Sequence, residues 1–163
     1  YKMTTALLVI DLQNGVGPLF GFEKVIQNVN QRIREYRENG DAIIFIQHNS
    51  GELKVGSEPW RFVSELDIKA DDSIIAKTQA NAFYQTDLKQ TLDSLDIDSL
   101  EICGAQTEYC IDATVKAAYY AGYQIAVTPN AFSTVDTQEF PASKINKFYW
   151  GLWSWLRESS PLV

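Results

Sequence analysis

Short, wholly apolar segments alternate along this chain with segments whose apolar residues recur at helical spacing, and this alternation restricts the fold strongly. Residues 5–10 and 42–46 are such apolar runs, typical of strands that are buried on both faces. Between them, apolar residues from Phe22 to Tyr36 recur at helical spacing, and Gly40 follows where a helix commonly ends. Strands that alternate with helices pair in parallel and carry helices on both faces of the sheet. The sequence therefore predicts an α/β fold with a parallel sheet.

The rest of the chain continues the pattern. Further strands are predicted at residues 73–76, 99–103 and 123–127. Thr86 and Thr107 are suited to cap the helices that follow them. The aromatic segment after Pro141 is interpreted as a last helix and a candidate sixth strand. Core packing of its aromatic side chains is favoured over a pocket rim or a subunit interface. Residues 49–72 are predicted to form a loop with one helical turn near residues 60–66.

Length and charge restrict the class of protein. A chain of 163 residues fits one domain, here 1–163, because about 100–200 residues share a single core. With 14 Lys and Arg against 21 Asp and Glu, the net charge of -7 opposes nucleic-acid or anionic-membrane partners. No apolar run approaches the ~20 residues that span a bilayer, and we expect no signal peptide. The two cysteines favour a reducing compartment, so a cytoplasmic location is expected.

Polar side chains follow the predicted strands at the edge where open parallel sheets bind ligands. Asp11 follows the first strand, His48 the second and Lys77 the third, while Cys110 lies just past the fourth. Each residue alone has an ordinary structural explanation, such as a capping carboxylate, a solvated ammonium or a small buried apolar thiol. Their convergence on one edge favours a shared chemical site.

The chemistry of such a site follows from the thiol. A cysteine attacks as its thiolate, and its reference pKa is about 8.5. Cys110 lies in the first turn of a predicted helix, where the dipole stabilises an anion, and Lys77 would lower the thiol pKa further. Asp11 could accept and return the proton. The sequence therefore predicts a nucleophile, an electrostatic stabiliser and an acid/base, with a thiolate already formed at neutral pH.

Two competing types of site are rejected. The glycine pattern at Gly15, Gly17 and Gly21 superficially resembles a dinucleotide fingerprint, but its third glycine is one position late and no acidic residue ends the second strand. A zinc site usually needs three or four protein ligands, and His48 is the only histidine. The spacing between Cys103 and Cys110 matches no zinc or redox motif. We therefore predict neither a cofactor nor a metal.

Three motifs together resemble the isochorismatase-like cysteine hydrolases, in the order and spacing of that family, from about Thr5 to Ser133. They are Asp11-Leu12-Gln13-Asn14, then Lys77-x-x-x-Asn81-Ala82-Phe83-x-x-Thr86-x-Leu88, and Gly104-Ala105-Gln106-Thr107-Glu108-Tyr109-Cys110-Ile111-Asp112. The resemblance implies a six-stranded parallel sheet in the order 3-2-1-4-5-6. It also implies a catalytic triad of Asp11, Lys77 and Cys110.

Further expectations come from the same resemblance. It implies a cis peptide bond between Ala105 and Gln106, which would turn the backbone N–H groups of Gln106 and Cys110 toward a developing oxyanion. The implied reaction is hydrolysis of a small amide through a cysteine thioester. His48 and Phe83 are candidate pocket residues. A homodimer or tetramer is expected, with a small molecule as the substrate.

The chain also departs from the family pattern. The Asp-x-His…His metal site of nicotinamidases is absent, since the corresponding segment reads Gln47-His48-Asn49. Asn130 stands where the family usually has Asp, and Asn81 stands where it has Ser. Two alternatives to amide hydrolysis stay open at this point. One is hydrolysis of an enol ether such as isochorismate, and the other is a catalytically idle binding domain on the same fold.

Overall fold

The computed structural model describes residues 3–159, which form one α/β unit. The strands are β1 (Thr5–Ile10), β2 (Ala42–His48), β3 (Ser73–Lys77), β4 (Ser99–Ala105) and β5 (Gln124–Ser133). The helices are α1 (Phe22–Asn39), α2 (Leu88–Ser94), α3 (Asp112–Tyr120) and α4 (Ala142–Ser159). A 3₁₀ turn spans Asn14–Val16, and a π-helical turn, Thr107–Ile111, leads into α3. Among these residues no helix has the length and apolarity to cross a membrane.

The strands form one parallel sheet in the order β3-β2-β1-β4-β5. The predicted α/β class and strand order are thereby confirmed for five strands. The sixth strand is not found among residues 3–159, because the segment after Pro141 continues as one helix to Ser159. Its apolar side chains recur at helical spacing, which places Trp153 and Leu156 in the core.

Helices cover both faces of the sheet, as predicted. On one face, the buried side of α1, which includes Val29 and Ile33, packs in a cluster with Leu7, Val9 and Phe45. On the other face, α2, α3 and α4 contribute to a second cluster. Alternate residues of β1 point to opposite faces, so a strand buried on both sides must be apolar throughout. This requirement explains the continuous apolar runs of the sequence.

The aromatic side chains of α4 divide between the core and the surface. Trp153 is fully buried, its ring meets Phe132 edge-on, and its Nε1 donates a hydrogen bond of 2.9 Å to Asp112 Oδ1. Phe148 and Trp155 are 67% and 61% exposed. The expectation of core packing is therefore correct for Trp153 and wrong for Phe148 and Trp155.

Strands β2 and β3 extend further than predicted, and this affects the site. Both His48 and Lys77 lie inside their strands and are register partners, so they share one face of the sheet. Thr107 is not the predicted cap, because it is the first residue of the π-helical turn and its hydroxyl donates to Asn146 Oδ1 instead. Thr86 lies one residue before the cap position of α2, Asp87, but its hydroxyl accepts a hydrogen bond of 3.3 Å from the N–H of Leu88, the first residue of that helix.

Residues 49–72 contain no helix, and near residues 60–66 they form only single hydrogen-bonded turns, such as the one closed by the Leu66 N–H and the Val63 carbonyl at 3.1 Å. They cross back over the segment after β1 instead, where Phe62 forms an antiparallel bridge with Gln13. The backbone N–H of Gly15 donates to the carbonyl of Pro59 at 2.8 Å. A Cβ at Gly15 would lie 2.7 Å from Pro59 Cβ and 2.6 Å from Leu53 Cδ2, so this close approach needs glycine.

Candidate active site

The carboxyl ends of β1 and β4 lie in unusually close contact at the centre of the sheet. Gly104 has φ +118°, and a Cβ there would lie 2.0 Å from the Ile10 carbonyl oxygen, so only glycine fits. Asp11, directly after β1, has a left-handed φ of 53°, a conformation that Asp tolerates better than most residues. The peptide bond between Ala105 and Gln106 is cis. These local conformations bring Asp11 and the π-helical turn with Cys110 to one cavity.

The ammonium of Lys77 lies at the centre of the site. It forms an ion pair of 2.9 Å with Asp11 Oδ2, and the two side chains are only 0% and 3% exposed. It also lies 2.7 Å from His48 Nδ1 and donates to Cys110 Sγ at 3.2 Å. A lysine ammonium has three N–H bonds, so these three acceptors satisfy it completely. The structure thus brings Asp11, His48, Lys77 and Cys110 together, as the sequence predicts.

His48 is held in a neutral form by its surroundings. Burial, followed by the charge of Lys77, lowers the pKa of His48. Since an ammonium can only donate, Nδ1 of His48 accepts and the ring proton is assigned to Nε2. The backbone of His48 is fixed on both sides by Gln13, whose Oε1 accepts from the His48 N–H and whose Nε2 donates to the His48 carbonyl.

The resting state of the cysteine differs from the sequence prediction of a preformed thiolate. Burial, and next the charge of Asp11, raise the pKa of the Cys110 thiol to about 12, although Lys77 acts in the opposite direction. Cys110 is therefore a thiol at neutral pH, and it needs a base when it attacks. The helix terminus and Lys77 favour the thiolate, but burial, which no sequence pattern records, outweighs them.

Asp11 offers such a base. Its Oδ2 binds Lys77, whereas the buried Oδ1 has no hydrogen-bond partner among the residues that the structure describes. A carboxylate oxygen of Asp11 lies within 4.8 Å of Cys110 Sγ. A buried, unpartnered acceptor is costly, so its presence beside a thiol indicates an acceptor kept free for a proton.

The two cysteines should react differently with alkylating agents. Cys103 is fully buried and burial also raises its pKa, whereas Cys110 lines a cavity. Brief iodoacetamide treatment at neutral pH, followed by peptide mass spectrometry, should place the label on Cys110. Because the Cys110 thiol is protonated at neutral pH, its labelling rate should increase steadily as the pH is raised from 7 to 10. Equal labelling of Cys103, or a rate that is flat with pH, would contradict the assignment.

The cavity above these residues has a volume of about 250 Å³. It is lined by Asp11, Gly15, Val16, His48, Ser50, Glu52, Leu53, Gln106, Tyr109 and Cys110. Gln106 lies here as predicted, and its side-chain amide donates to the Val16 carbonyl at 2.9 Å. The prediction that Phe83 is a pocket residue is wrong, because Phe83 does not line the cavity. Its ring stacks on Tyr123 with centroids 5.9 Å apart, in the apolar core.

A larger groove of about 630 Å³ adjoins the cavity at Tyr109. Its wall includes Phe140, Phe148 and Tyr149, and the only residue that it shares with the smaller cavity is Tyr109. Neither a cysteine nor a histidine lines this groove, whereas Asp11, His48 and Cys110 line the smaller cavity.

A metal has little room at this site, although three possible ligands meet there. Ligand atoms of Asp11, His48 and Cys110 lie within 4.8 Å of one another, a cluster that a count of histidines did not anticipate. The Lys77 ammonium, however, contacts all three residues and already supplies a positive charge at their centre. A divalent cation placed among them would meet strong repulsion from that charge. The donor set therefore does not fit a resident metal while Lys77 keeps these contacts.

The sequence did not identify four residues of the site, which are Gln13, Gly15, Glu52 and Tyr109. Gln13 belongs to the Asp11–Asn14 motif, so its position directly after a buried strand was an available signal. Glu52 lies in the irregular loop, where no periodicity predicts which side chain faces the cavity.

Comparison with known proteins gives the family. The model of the isochorismatase domain matches residues 5–149. The chain belongs to the isochorismatase family. This isochorismatase-family hydrolase is 34% identical over 149 residues to the uncharacterized isochorismatase family protein YddQ of Bacillus subtilis (strain 168), covering 83% of this chain and 81% of that protein.

Other relatives agree with this assignment. A crystal structure of an isochorismatase family protein matches this hydrolase with a TM-score of 0.89 and 40% identity, over 91% of this chain and 92% of that chain. The ureidoacrylate amidohydrolase RutB of Serratia proteamaculans (strain 568) is 26% identical over 162 residues, covering 73% of this chain and 65% of that protein.

Proposed function

We propose that this hydrolase cleaves the C–N bond of a small amide through a thioester on Cys110, without a metal. The observation that carries the proposal is the Lys77 ammonium bound at once to Asp11, His48 and Cys110. An arrangement of this kind fixes a nucleophile and a base around one buried charge. The likeness to a relative named as an amidohydrolase supports the same class of bond.

The first half of the proposed reaction forms the thioester. Cys110 Sγ attacks the amide carbonyl carbon while its proton passes to Asp11, whose Oδ1 is unpartnered among the described residues. The negative charge moves to the carbonyl oxygen, where the backbone N–H groups of Gln106 and Cys110 would stabilise it. The C–N bond then breaks, and Asp11 returns the proton to the departing amine or ammonia.

The second half releases the acid. A water molecule gives a proton to Asp11 and attacks the thioester carbonyl, and the sulfur leaves as the Cys110 thiol after recovering that proton. Throughout, Lys77 keeps the Asp11 carboxylate and the sulfur in place and offsets the negative charge that each carries in turn. The neutral His48 fills the third acceptor position on Lys77 and helps to fix its ammonium.

The alternative with the closest chemistry is hydrolysis of an enol ether. That reaction does not need a sulfur nucleophile, whereas this site holds a thiol 3.2 Å from a buried ammonium. A panel of small amides and an enol ether, with product detection and intact-protein mass spectrometry after rapid acid quench, tests the proposal. We expect amide turnover and an acyl adduct on Cys110. Turnover of the enol ether alone, or of no compound, would refute the proposed function.

Metal independence is expected as well. We expect elemental analysis of the purified protein to find no stoichiometric zinc, iron or manganese, and we expect chelators to leave amide hydrolysis unchanged. The physical reason is that Lys77 already supplies the cation that binds Asp11 and Cys110. About one transition metal per chain, with activity lost on EDTA treatment and restored by metal, would overturn this expectation.

Assembly into a homodimer or tetramer stays a prediction. Large exposed aromatic side chains, including Phe140, Phe148 and Trp155, support it, because exposed apolar patches often belong to interfaces between protein chains.

A further inference from the structure

The lining of the small cavity carries negative charge without a free positive charge. Two lining side chains are carboxylates, Asp11 and Glu52, and none of the lining residues is a lysine or an arginine. The Lys77 ammonium beneath the cavity is fully used by its three acceptors. His48 does not compensate, since burial and Lys77 lower its pKa and keep it neutral.

The two carboxylates contribute differently to the net charge of the cavity. Asp11 is paired with Lys77, so the pair contributes little net charge to the cavity. Glu52 is exposed in the loop after β2, and none of the ion pairs found among the described residues includes it. The neighbouring Lys54 does not line the cavity. Glu52 therefore gives the mouth of the cavity its net negative charge.

From this balance we infer that the site is selective for small amides that carry no carboxylate, and that Glu52 favours substrates with a cationic group or an N–H donor near the amide. This inference names the substrate class of the proposed function and rests on it. A substrate carboxylate would have to enter the cavity with no cation to bind and with Glu52 to repel it. The overall charge of -7 would act in the same direction during the approach of a ligand.

The size of the cavity also limits the size of the substrate. About 250 Å³ is below the ~300–1,000 Å³ that is typical of sites for drug-sized ligands. Tyr109 also lines the cavity, and its ring offers a face on which a cation can rest. The substrate class is thus a short neutral or cationic amide.

Charge-selective labelling of Cys110 tests the inference without depending on hydrolysis. The probes are methanethiosulfonate reagents with 2-aminoethyl, methyl and 2-sulfonatoethyl groups, which are cationic, neutral and anionic. Rates at Cys110 are measured by peptide mass spectrometry and divided by the rates of the same reagents with glutathione amide. In a buffer of low ionic strength, where screening is weak, we expect the corrected cation-to-anion ratio to be about fivefold, as one unit charge roughly 8 Å away would produce in water.

Two matched variants test whether the charge of Glu52 causes the difference between the labelling rates of the cationic and anionic reagents. Glu52→Gln removes the charge at the same size, and it should lower the cation-to-anion ratio by about fivefold. Glu38→Gln removes an exposed charge on α1 that does not line the cavity, and the ratio should not change. A ratio at or below one, or a ratio that Glu52→Gln leaves unchanged, would overturn the inference.

A second measurement separates this inference from the proposed function. Propionamide, glycinamide and malonamate are matched small amides with neutral, cationic and anionic ends. We expect kcat/KM to be at least ~10-fold lower for malonamate than for the other two, because its carboxylate would lose water without gaining a cation and would also be repelled by Glu52. Malonamate turnover equal to that of propionamide would overturn the selectivity and leave amide hydrolysis standing. Failure of all three would count against amide hydrolysis, and the labelling ratio would still decide the charge of the site.

Discussion

Cys110→Ala should lower amide hydrolysis by about 10⁴-fold or more, because the variant has no atom that can form the thioester. The matched control is Cys103→Ala, which removes the other thiol from a fully buried position on β4. That control should retain its activity within a few-fold while losing some stability through a small core cavity. The measurement is kcat/KM on the amide that the panel identifies, with thermal unfolding of all three proteins.

The outcome that contradicts the role of Cys110 is specific. If Cys110→Ala retained a tenth of the activity or more, the reaction would not pass through a sulfur adduct. Circular dichroism must show that the variant is folded, so that lost activity reports lost chemistry. Cys110→Ser would be a second check, because a hydroxyl of similar size is a much weaker nucleophile unless a strong base activates it.

Asp11→Asn should change hydrolysis and alkylation in opposite directions. Hydrolysis should decrease by roughly 10²–10⁴-fold, because the amide cannot take the proton from sulfur. Alkylation of Cys110 should become faster, because the Asp11 charge is one of the causes that raise the pKa of this thiol. Lys77→Met should slow both reactions, because Lys77 lowers the same pKa. Parallel changes in the two Asp11→Asn rates would contradict the proposed division of roles.

Both substitutions should also reduce stability. The Lys77–Asp11 pair is almost completely buried, and removing one partner of a buried pair typically costs about 3–5 kcal/mol of unfolding free energy. Arg37→Met is the matched control, since it breaks the ion pair with Asp72 elsewhere in the fold. It should lower the melting temperature and leave kcat/KM unchanged. Asp11→Asn in a Cys110→Ala background should cost little further activity.

The sequence was sufficient for the parts of the fold that depend on periodicity and burial. Apolar runs without alternation predicted buried parallel strands, and the glycine after α1 marked a helix end that the structure confirms at Gly40. The predicted sixth strand is not found among residues 3–159, because β-branched and aromatic residues suit both a strand and a buried helix, and α4 uses its aromatic residues at helical spacing.

At the site, the residue types were predictable and their electrostatic balance was not. Asp11, His48, Lys77 and Cys110 all follow or end strands that meet at one edge, so topology alone brings them together. The pKa of Cys110 depends instead on how completely the site is dehydrated, which no local pattern records. Phe83 was misplaced for a similar reason, because a strand-end loop can turn an aromatic ring toward the core or the cavity.

The pairing of His48 with Lys77 across β2 and β3 ties the chemistry to the alignment of two strands. Side chains along a strand alternate between its faces, so a shift of β3 by one residue would turn Lys77 to the opposite side of the sheet. The ammonium would then lie on the far side of the sheet from the cavity, and it would lose its contacts with all three acceptors. An insertion or deletion of a single residue within β3 should therefore abolish activity, even where the apolar residues of the strand still allow the sheet to assemble. Length changes in the loop of residues 49–72 do not impose that shift, but they would displace Glu52 from the cavity and Pro59 and Phe62 from the segment after β1.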